Sequence, residues 1–266
     1  MNEALSPPIA RVTTIPVLSD NYAYLLIDTT KNVAAAIDPA EPEKVLEVAT
    51  KERVKLTHVL TTHKHWDHSG GNKRMAEMVP GITIVGGELD EVAGATLSVK
   101  DGQIIHVGNI CVKALHTPCH TRGHICYYVT TTDSSPPQVF TGDTLFIAGC
   151  GKFFEGTAKD MFYSLLQVLR VLPLDTRVWC GHEYTVKNLQ FAKTVEPNNS
   201  FIQTKLAWAE QKRSLHEPTV PSTLSEEVQY NPFMRVTEKK LQESLGMIER
   251  DPLDILSHLR QLKDKF

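Results

Sequence analysis

The sequence predicts a layered α/β protein whose last third is helical. Short apolar and β-branched runs, separated by turn residues, fill residues 1–180 and indicate many strands with helices between them. Residues 186–265 carry helical patterns instead. The chain contains no G-x-G-x-x-G segment, which disfavours a doubly wound nucleotide-binding sheet. At 266 residues it is long enough for one large domain, or for one domain and a smaller one.

Ten strands and two helices are predicted before residue 185. The strands are expected at 12–18, 22–27, 33–37, 55–61, 82–85, 104–107, 110–115, 124–130, 138–141 and 177–180. The first helix is expected at 41–51, with Pro42 in its first turn. The second is expected at 159–171, because Thr157 and Asp160 form a capping pattern at its start. A polar, histidine-rich loop is expected at 63–71.

Four helices are predicted in the tail. They are expected at 186–195, 201–216, 237–245 and 252–265. Asp251 supplies the last helix with an N-cap, and Pro252 fits its first position. The change of pattern predicts a first domain over 1–184 and a helical domain over 185–266.

Composition excludes several classes of function. The formal net charge of −3 disfavours a nucleic-acid binder with a broad basic surface. No run approaches the ~18 apolar residues of a membrane span. Residues 1–8 have neither the basic and apolar regions of a secretory signal nor the arginines of a mitochondrial transit peptide. The five cysteines form no C-x-x-C pair, so neither a disulfide framework nor a thiolate zinc site is expected. The sequence therefore predicts a cytoplasmic protein without nucleic-acid or membrane partners.

Metal-ligand residues are concentrated in the segment 62–72. It contains His63, His65, Asp67 and His68, four donors within six residues. Residues two apart point the same way in an extended chain, and one metal rarely takes four ligands from so short a loop. Two neighbouring metals are therefore favoured. Imidazole and carboxylate donors suit Zn²⁺ or a mixed site with Fe or Mn, and the lack of cysteine ligands favours a catalytic site over a structural one.

Three more candidate ligands stand near predicted strand ends. His120, Asp143 and His182 each follow or end an apolar run, where a rigid strand can aim a side chain. Together with the four donors of the loop, they make a set of five histidines and two aspartates.

Three neighbours of these ligands are given other roles. Lys64 is expected to point outward, because its ammonium would be repelled by two dications. Trp66 is expected to pack against the protein. His124 is expected either to support the ligands by hydrogen bonding or to lie in the core.

The order and spacing of the seven ligands resemble those of the metallo-β-lactamase superfamily. The flanking sequence is more similar still to the hydroxyacylglutathione hydrolase (glyoxalase II) family. The resembling stretches are 20–24, 62–72, 117–126, 140–146, 149–157, 180–185 and 231–235, so they extend over nearly the whole chain. The resemblance implies an αββα four-layer sandwich that forms the metal-binding catalytic domain. It also implies that the C-terminal helical domain completes a glutathione site.

The resemblance further implies two divalent metal ions, with Zn²⁺ expected and Fe or Mn as alternatives in one or both sites. The seven ligands would form two triplets and one shared bridge: His63, His65 and His120; Asp67, His68 and His182; and Asp143. Asp67 and Asp143 would be catalytic as well as ligating. A hydroxide would complete the bridge, because two dications lower the pKa of a shared water toward neutrality.

The implied reaction is hydrolysis of S-D-lactoylglutathione and other 2-hydroxyacyl-glutathiones. The bridging hydroxide would attack the thioester, releasing glutathione and a 2-hydroxy acid, which is the second step of methylglyoxal detoxification. No strong general acid is required, because a thiolate is a good leaving group. The implied substrate-binding residues are Lys152, Phe154, His182, Tyr184, Arg260 and Lys263. A monomer is expected.

Two details of the implied substrate site concern individual residues. Arg260 and Lys263 are three apart and therefore share one helical face, where they would hold the glycine carboxylate. The family often has tyrosine where this chain has Phe154. The loss of one hydrogen bond, worth ~0.5–1.5 kcal/mol, predicts weaker glutathione binding than in a relative with tyrosine.

Other functions on the same fold are alternatives. They are a persulfide dioxygenase, a lactonase and a β-lactamase. A dioxygenase needs a single iron with open coordination positions, and the complete ligand set and the basic C-terminal tail disfavour it. The acidic charge balance disfavours a nuclease. A protein that only binds glutathione conjugates or buffers zinc is disfavoured because no ligand is missing.

Overall fold

The first of two large sheets contains six strands in the order β1-β2-β3-β4-β5-β6. The computed structural model describes residues 8–266, so most of the segment on which the targeting prediction rests lies outside the described residues. The strands are Ala10–Val17 (β1), Asn21–Asp28 (β2), Val33–Ile37 (β3), Lys55–Leu60 (β4), Thr83–Gly87 (β5) and Leu97–Val99 (β6). β1 to β3 pair antiparallel and β3 to β6 pair parallel.

The second sheet contains six strands in the order β14-β13-β10-β9-β8-β7. They are Ile104–Val107 (β7), Ile110–His116 (β8), Ile125–Thr130 (β9), Gln138–Gly142 (β10), Arg177–Cys180 (β13) and Ser222–Thr223 (β14). Only β10 and β13 pair in parallel. Between β10 and β13, the chain forms a separate two-stranded ribbon of Leu145–Phe146 (β11) and Gly149–Cys150 (β12).

Nine α-helices are found in residues 8–266. They are Pro42–Lys51 (α1), Trp66–Ser69 (α2), Asn72–Met78 (α3), Ala158–Phe162 (α4), Thr185–Val195 (α5), Ser200–Ser214 (α6), Leu224–Tyr230 (α7), Lys239–Ser244 (α8) and Pro252–Lys265 (α9). A π-helical segment, Tyr163–Leu169, continues α4, and a 3₁₀ turn, Pro232–Met234, follows α7. None of these helices combines the length and apolar character needed to cross a membrane.

The apolar side chains form layers that confirm the αββα sandwich. Alternate residues of β2 face opposite ways: Tyr24 and Leu26 pack between the sheets, whereas Leu25 and Ile27 pack toward α1 and α3. The outer face of the second sheet is covered by α4, its π-helical continuation and α9. Because both faces of each sheet are buried, the strands are rigid supports for the loops at their ends.

The C-terminal helices share structure with the second sheet. β14 comes from beyond residue 185 and pairs with β13, with Ser222 opposite Val178. One apolar cluster also joins residues on both sides of residue 185, such as Val139 and Leu256. The division at 184/185 stays a prediction about domain organisation. It falls where α5 begins.

The predicted helix at 159–171 needs correction. Only Ala158–Phe162 is α-helical, and the next seven residues form a π-helix in which Arg170 N–H donates to Leu165 O at 2.9 Å. A π-helix has more residues per turn than an α-helix, but over only two turns both place the same apolar residues inward. The sequence pattern therefore does not distinguish a π-helix from an α-helix here. The predicted loop at 63–71 also contains the short helix α2. A helix of one turn is too short to show a periodic pattern in the sequence.

Candidate metal centre

The predicted ligands meet where strands from both sheets end. β4 ends at Leu60, and the ligand segment 63–68 follows it. β10 and β13 are parallel neighbours, and they place Asp143 and His182 just beyond their ends. His120 lies on the loop between β8 and β9. The fold thus gathers ligands that are distant in sequence.

Two glycines allow the backbone to approach this closely. Gly142 has a φ of +45°, and a Cβ there would lie 2.4 Å from Thr62 Oγ1. A Cβ on Gly181 would lie 2.5 Å from Asp143 Oδ1. A side chain at Gly181 would displace a candidate ligand, and one at Gly142 would displace the side chain of Thr62, next to the candidate ligand His63.

Three imidazoles form the first ligand cluster. His63 Nε2 lies 3.0 Å from His65 Nδ1, and His120 Nε2 lies 3.1 Å from the same His65 atom. Burial, reinforced by neighbouring imidazoles, lowers the pKa of His63 well below its usual value. Burial likewise lowers the pKa of His120. Neutral rings with converging nitrogens are donors of the kind that zinc prefers.

Asp67, His68 and His182 form the second cluster. Asp67 Oδ2 lies 3.4 Å from His182 Nε2 and 3.6 Å from His68 Nε2, and the two Nε2 atoms are 3.3 Å apart. Burial opposes charge on His68, but the carboxylates of Asp143, Asp38 and Asp67 outweigh burial and raise its pKa to about 9. The negative potential at this cluster therefore favours a cation.

Asp143 lies between the two clusters. Its Oδ1 is 3.3 Å from His68 Nε2, and its Oδ2 is 3.4 Å from Nε2 of both His120 and His182. Burial opposes ionisation, but the imidazoles keep the pKa of Asp143 well below its usual value. Within residues 8–266, its buried Oδ1 has no hydrogen-bond partner. Such an oxygen costs roughly 1–3 kcal/mol or more, which a bound cation would offset, so the donor set fits divalent metals.

A cavity of about 440 Å³ connects the first ligand cluster and Asp143 with the C-terminal helices. His120 and Asp143 line one part of it, and Arg260 and Lys263 of α9 line another. The other lining residues are Phe146, Cys150, Gly151, Lys152, Phe154, Tyr184, Lys187, Asn188, Asp264 and Phe266. Every predicted substrate-binding residue except His182 therefore lines one cavity. His182 belongs to the second cluster, and the ring of Tyr184 stacks on it at 4.7 Å.

The two cations on α9 are held in place by the surrounding protein. Arg260 donates from Nη1 to Cys150 O at 3.1 Å and pairs through Nη2 with Asp264 at 2.8 Å. Lys263 Nζ donates to Lys187 O at 3.4 Å. Burial and the charges of Arg260 and Lys187 lower the pKa of Lys263 to about 8. The cavity thus has a cationic region suited to a carboxylate.

A larger cavity, of about 890 Å³, lies among α6, α7 and α8. It contains the buried ion pair of Arg235 and Glu196, and none of the seven candidate ligands lines it. Cavity size alone would therefore point to the wrong part of the molecule. The smaller cavity is the better candidate because it joins two of the candidate ligands, His120 and Asp143, to a cationic region.

Comparisons with known proteins connect this geometry to a family. Residues 17–182 match the metallo-beta-lactamase superfamily, and residues 183–266 match the hydroxyacylglutathione hydrolase C-terminus. The cytoplasmic hydroxyacylglutathione hydrolase of Arabidopsis thaliana is 54% identical over 96% of this chain and 99% of its own length. This chain belongs to the hydroxyacylglutathione hydrolase family.

One further relative agrees with membership of the hydroxyacylglutathione hydrolase family, and one solved structure agrees with the fold. A hydroxyacylglutathione hydrolase-like protein of Gallus gallus is 47% identical over 96% of this chain and 90% of its own length. The crystal structure of ETHE1 from Myxococcus xanthus matches with a TM-score of 0.68 at 25% identity, covering 96% of this chain and 90% of that one. Family membership and the histidine and aspartate clusters together support two divalent metal ions.

Residues outside the predicted ligand set orient the imidazoles of this family member. His68 Nδ1 lies 2.9 Å from Asp38 Oδ2, and His182 Nδ1 lies 2.8 Å from Asp20 Oδ1. A carboxylate on the outer nitrogen fixes the ring and leaves Nε2 free to face the cluster. Sequence reasoning missed these two roles. Asp20 begins a family-resembling stretch, so a signal was present for it, whereas Asp38 is only the residue after β3.

Asp38→Asn is expected to weaken metal binding by about 10–100-fold, the usual cost of losing such an outer carboxylate. Asp38 also accepts hydrogen bonds from Thr62 N and Thr62 Oγ1, at 2.8 and 2.7 Å, so it supports the ligand segment twice. Competition with a chromophoric chelator would measure the affinity. Asp101→Asn, at an exposed position, is the matched control and should bind metal as the unchanged protein does. Equal affinities for the two variants would contradict this role.

The three neighbouring residues have different outcomes. Lys64 points outward and pairs with Glu155 at 2.6 Å, as predicted. His124 supports Asp143 by accepting its backbone N–H at 3.2 Å, and its ring stacks on His63. The packing prediction for Trp66 is wrong, since 73% of the residue is exposed. Position 66 begins α2, whose buried residues are His68 and Ser69, and its side chain lies on the opposite, solvent-facing side.

Proposed function

We propose that this protein hydrolyses S-D-lactoylglutathione and other 2-hydroxyacyl-glutathiones to glutathione and a 2-hydroxy acid, the second step of methylglyoxal detoxification. One observation carries the proposal: a single cavity joins His120 of the first cluster and Asp143, which lies between the clusters, to a cationic region on α9. The hydroxyacylglutathione hydrolase names of the relatives support the same reaction. A β-lactam or a lactone lacks the glutathione peptide, so it would not need a cationic region on α9 to bind the glycine carboxylate.

The proposed metal assignment follows the two clusters. His63, His65 and His120 would hold one ion; Asp67, His68 and His182 would hold the other; and Asp143 would bridge them. Zinc is the proposed metal, because imidazole nitrogen and carboxylate oxygen suit it. When bound, two divalent ions polarise a carbonyl oxygen and supply a water nucleophile at neutral pH.

The other residues position the substrate. Arg260, Lys263 and Lys152 would hold the glycine carboxylate, which fixes the peptide and places its thioester beside the ligand clusters. Tyr184 would contact the peptide from above His182. The thiolate can depart without protonation by a strong acid, so this reaction does not require a general acid.

Turnover of S-D-lactoylglutathione, measured as loss of thioester absorbance, tests the proposal. A β-lactam, a lactone and a glutathione persulfide with oxygen should be tested on the same preparation. We expect thioester hydrolysis to dominate and to be lost on chelation. Iron-dependent oxygen uptake with the persulfide would instead establish a dioxygenase. Binding of the thioester without turnover would establish a binding protein.

Phe154→Tyr is expected to lower KM for S-D-lactoylglutathione by a few-fold. Phe154 is 62% exposed, and its ring lies 5.2 Å from that of His120, so a hydroxyl there would be available to a bound peptide. One added hydrogen bond is worth ~0.5–1.5 kcal/mol. Steady-state kinetics would measure the change. Phe154→Leu should not lower KM, and an unchanged KM for Phe154→Tyr would contradict the expectation.

Substrate binding is expected to weaken as the pH rises through about 8. The pKa of Lys263 is lowered to about 8, so its ammonium is present below that pH and lost above it. A charge-assisted hydrogen bond is worth ~1.5–3 kcal/mol, so KM should rise roughly tenfold between neutral and alkaline pH. Lys263→Met should show a high KM at every pH. Lys263→Arg should keep a low one, and a wild-type KM independent of pH would refute this role.

We also propose that the protein acts in the cytoplasm as a monomer. The cytoplasmic designation of the Arabidopsis thaliana relative supports the location. The candidate site supports a monomer, because both ligand clusters and all the cations of the cavity come from one chain. Sedimentation equilibrium should give the mass of one chain, 29.7 kDa. A fluorescent fusion should be distributed through the cytoplasm.

A further inference from the structure

The substrate cavity continues into a second groove. Lys187 and Phe266 line both the cavity and this groove, which also contacts Glu183, Val186, Gln190 and Arg213. None of the seven candidate ligands lines the groove. It therefore extends the cavity away from the ligand clusters, and Lys187 stands where the two spaces join.

The cavity has more cations than one carboxylate requires. Lys152, Lys187, Arg260 and Lys263 line it. Within residues 8–266, Arg260 is the only one of the four that forms an ion pair, through its contact with Asp264 at 2.8 Å. Lys152 and Lys263 are assigned above to the glycine carboxylate, so Lys187 is the ammonium left for a second anionic group of the ligand.

Lys187 and Lys263 are close enough to affect each other. Lys263 Nζ contacts the backbone oxygen of Lys187, and its ammonium also lies 4.9 Å from the ring centre of Phe266. The pKa of Lys263 is lowered partly by the charge of Lys187. Like charges this near oppose each other unless anions accompany them. When the glycine carboxylate accompanies Lys263, a second negative group on the ligand would neutralise Lys187.

A glutathione thioester has this charge pattern. Its sulfur lies in the middle, with the glycine carboxylate on one arm and the α-carboxylate and ammonium of the γ-glutamyl residue on the other. With the thioester at the ligand clusters and the glycine at Arg260 and Lys263, the γ-glutamyl arm is directed to the remaining outlet. We propose that Lys187 binds the γ-glutamyl α-carboxylate and thereby selects glutathione over shorter thiols.

Two substrate analogues isolate this contact, which rests on the proposed thioester hydrolysis. In the first, 4-aminobutyrate replaces the γ-glutamyl residue, which removes only the α-carboxylate. In the second, glycinamide replaces glycine, which removes only the other carboxylate. Both are prepared as S-D-lactoyl thioesters, and KM and kcat are measured for each beside S-D-lactoylglutathione.

Lys187→Met should raise KM for S-D-lactoylglutathione about fivefold, the effect of one partly exposed ion pair, and leave kcat unchanged. It should also raise KM for the glycinamide analogue but not for the aminobutyryl analogue. Lys263→Met should show the reverse pattern. Lys187→Arg should restore the wild-type KM, and Lys193→Met, at an exposed position on the same helix, should have no effect.

The results separate failure of this inference from failure of the proposed function. If the wild-type protein hydrolyses none of the thioesters, the proposed function is wrong. If it hydrolyses them and Lys187→Met affects the aminobutyryl and parent substrates equally, Lys187 does not bind the γ-glutamyl carboxylate. An effect of Lys187→Met that disappears only with the glycinamide analogue would assign Lys187 to the glycine end and overturn the proposal.

Discussion

Asp143→Asn is expected to lower kcat/KM for S-D-lactoylglutathione by about a thousandfold or more. Asp143 is the only described candidate ligand with an oxygen within 3.4 Å of both clusters, at His68 on one side and His120 on the other. Asparagine keeps its shape but removes the negative charge that two dications would share. A metal contributes several kcal/mol to stabilising a developing oxyanion, and each ~1.4 kcal/mol is a factor of ten in rate.

The loss should coincide with a loss of metal. Elemental analysis of Asp143→Asn should give fewer than two ions per chain, and circular dichroism should show a folded protein. Asp67→Ala, which removes a ligand of one cluster, should also lose metal and activity together. Asp175→Asn, at an exposed position, is the matched control and should keep both. Full activity in either ligand variant would refute the two-metal assignment.

Glu227→Ala is expected to cause the largest loss of stability among single substitutions in the helical region. Glu227 is fully buried, and its two oxygens accept four hydrogen bonds, from Ala148 N, Ser222 Oγ, Tyr230 Oη and Asn231 Nδ2, at 2.6–2.9 Å. Burial raises the pKa of this carboxyl, and the hydrogen bonds from its donors oppose that rise. Alanine would leave three of these donors, Ala148 N, Ser222 Oγ and Tyr230 Oη, buried without an acceptor, at a cost of roughly 3–5 kcal/mol. Asn231 Nδ2 would keep its bonds to Phe146 O and Gly149 O.

This loss should be visible in the melting temperature and in the active site. A change of that size lowers Tm by roughly 10 °C in a chain of this length. Activity at temperatures well below the melting transition should also fall, because Ala148 belongs to the segment that carries Phe146 and Cys150 into the cavity. Glu226→Ala provides the comparison: it removes one half of the capping box of α7 and a partly exposed ion pair with Lys205, worth about 1 kcal/mol. Similar Tm values for the two variants would show that the buried hydrogen bonds of Glu227 contribute little to stability.

The long strands and helices were predictable because their apolar patterns are long enough to fix a period. β2 and α9 are examples, and Asp251 caps α9 through Leu253 N as expected. The short elements β6, β11, β12 and β14 contain two or three residues each, and no pattern can be recognised in so few. The pairing of β14 with β13 depends on tertiary contacts that sequence periodicity does not encode.

The candidate ligands were predictable because donor residues at close spacing are rare without a function. Their outer partners were not: Asp20 and Asp38 are single aspartates, and only the fold places them against His182 and His68. The role proposed for Lys187 was not predicted for a similar reason. Lys187 lies three residues beyond Tyr184 and belongs to no recognisable motif. Its place where the cavity joins the groove depends on how α5 packs beside α9.

A metal titration would show whether this chain is a two-metal thioester hydrolase. The protein would be stripped with a chelator, verified metal-free by elemental analysis and supplied with increasing zinc. Hydrolysis of S-D-lactoylglutathione would be followed at each step. We expect no activity without metal and maximal activity at two ions per chain. Maximal activity with one ion, or full activity in verified metal-free protein, would contradict this expectation.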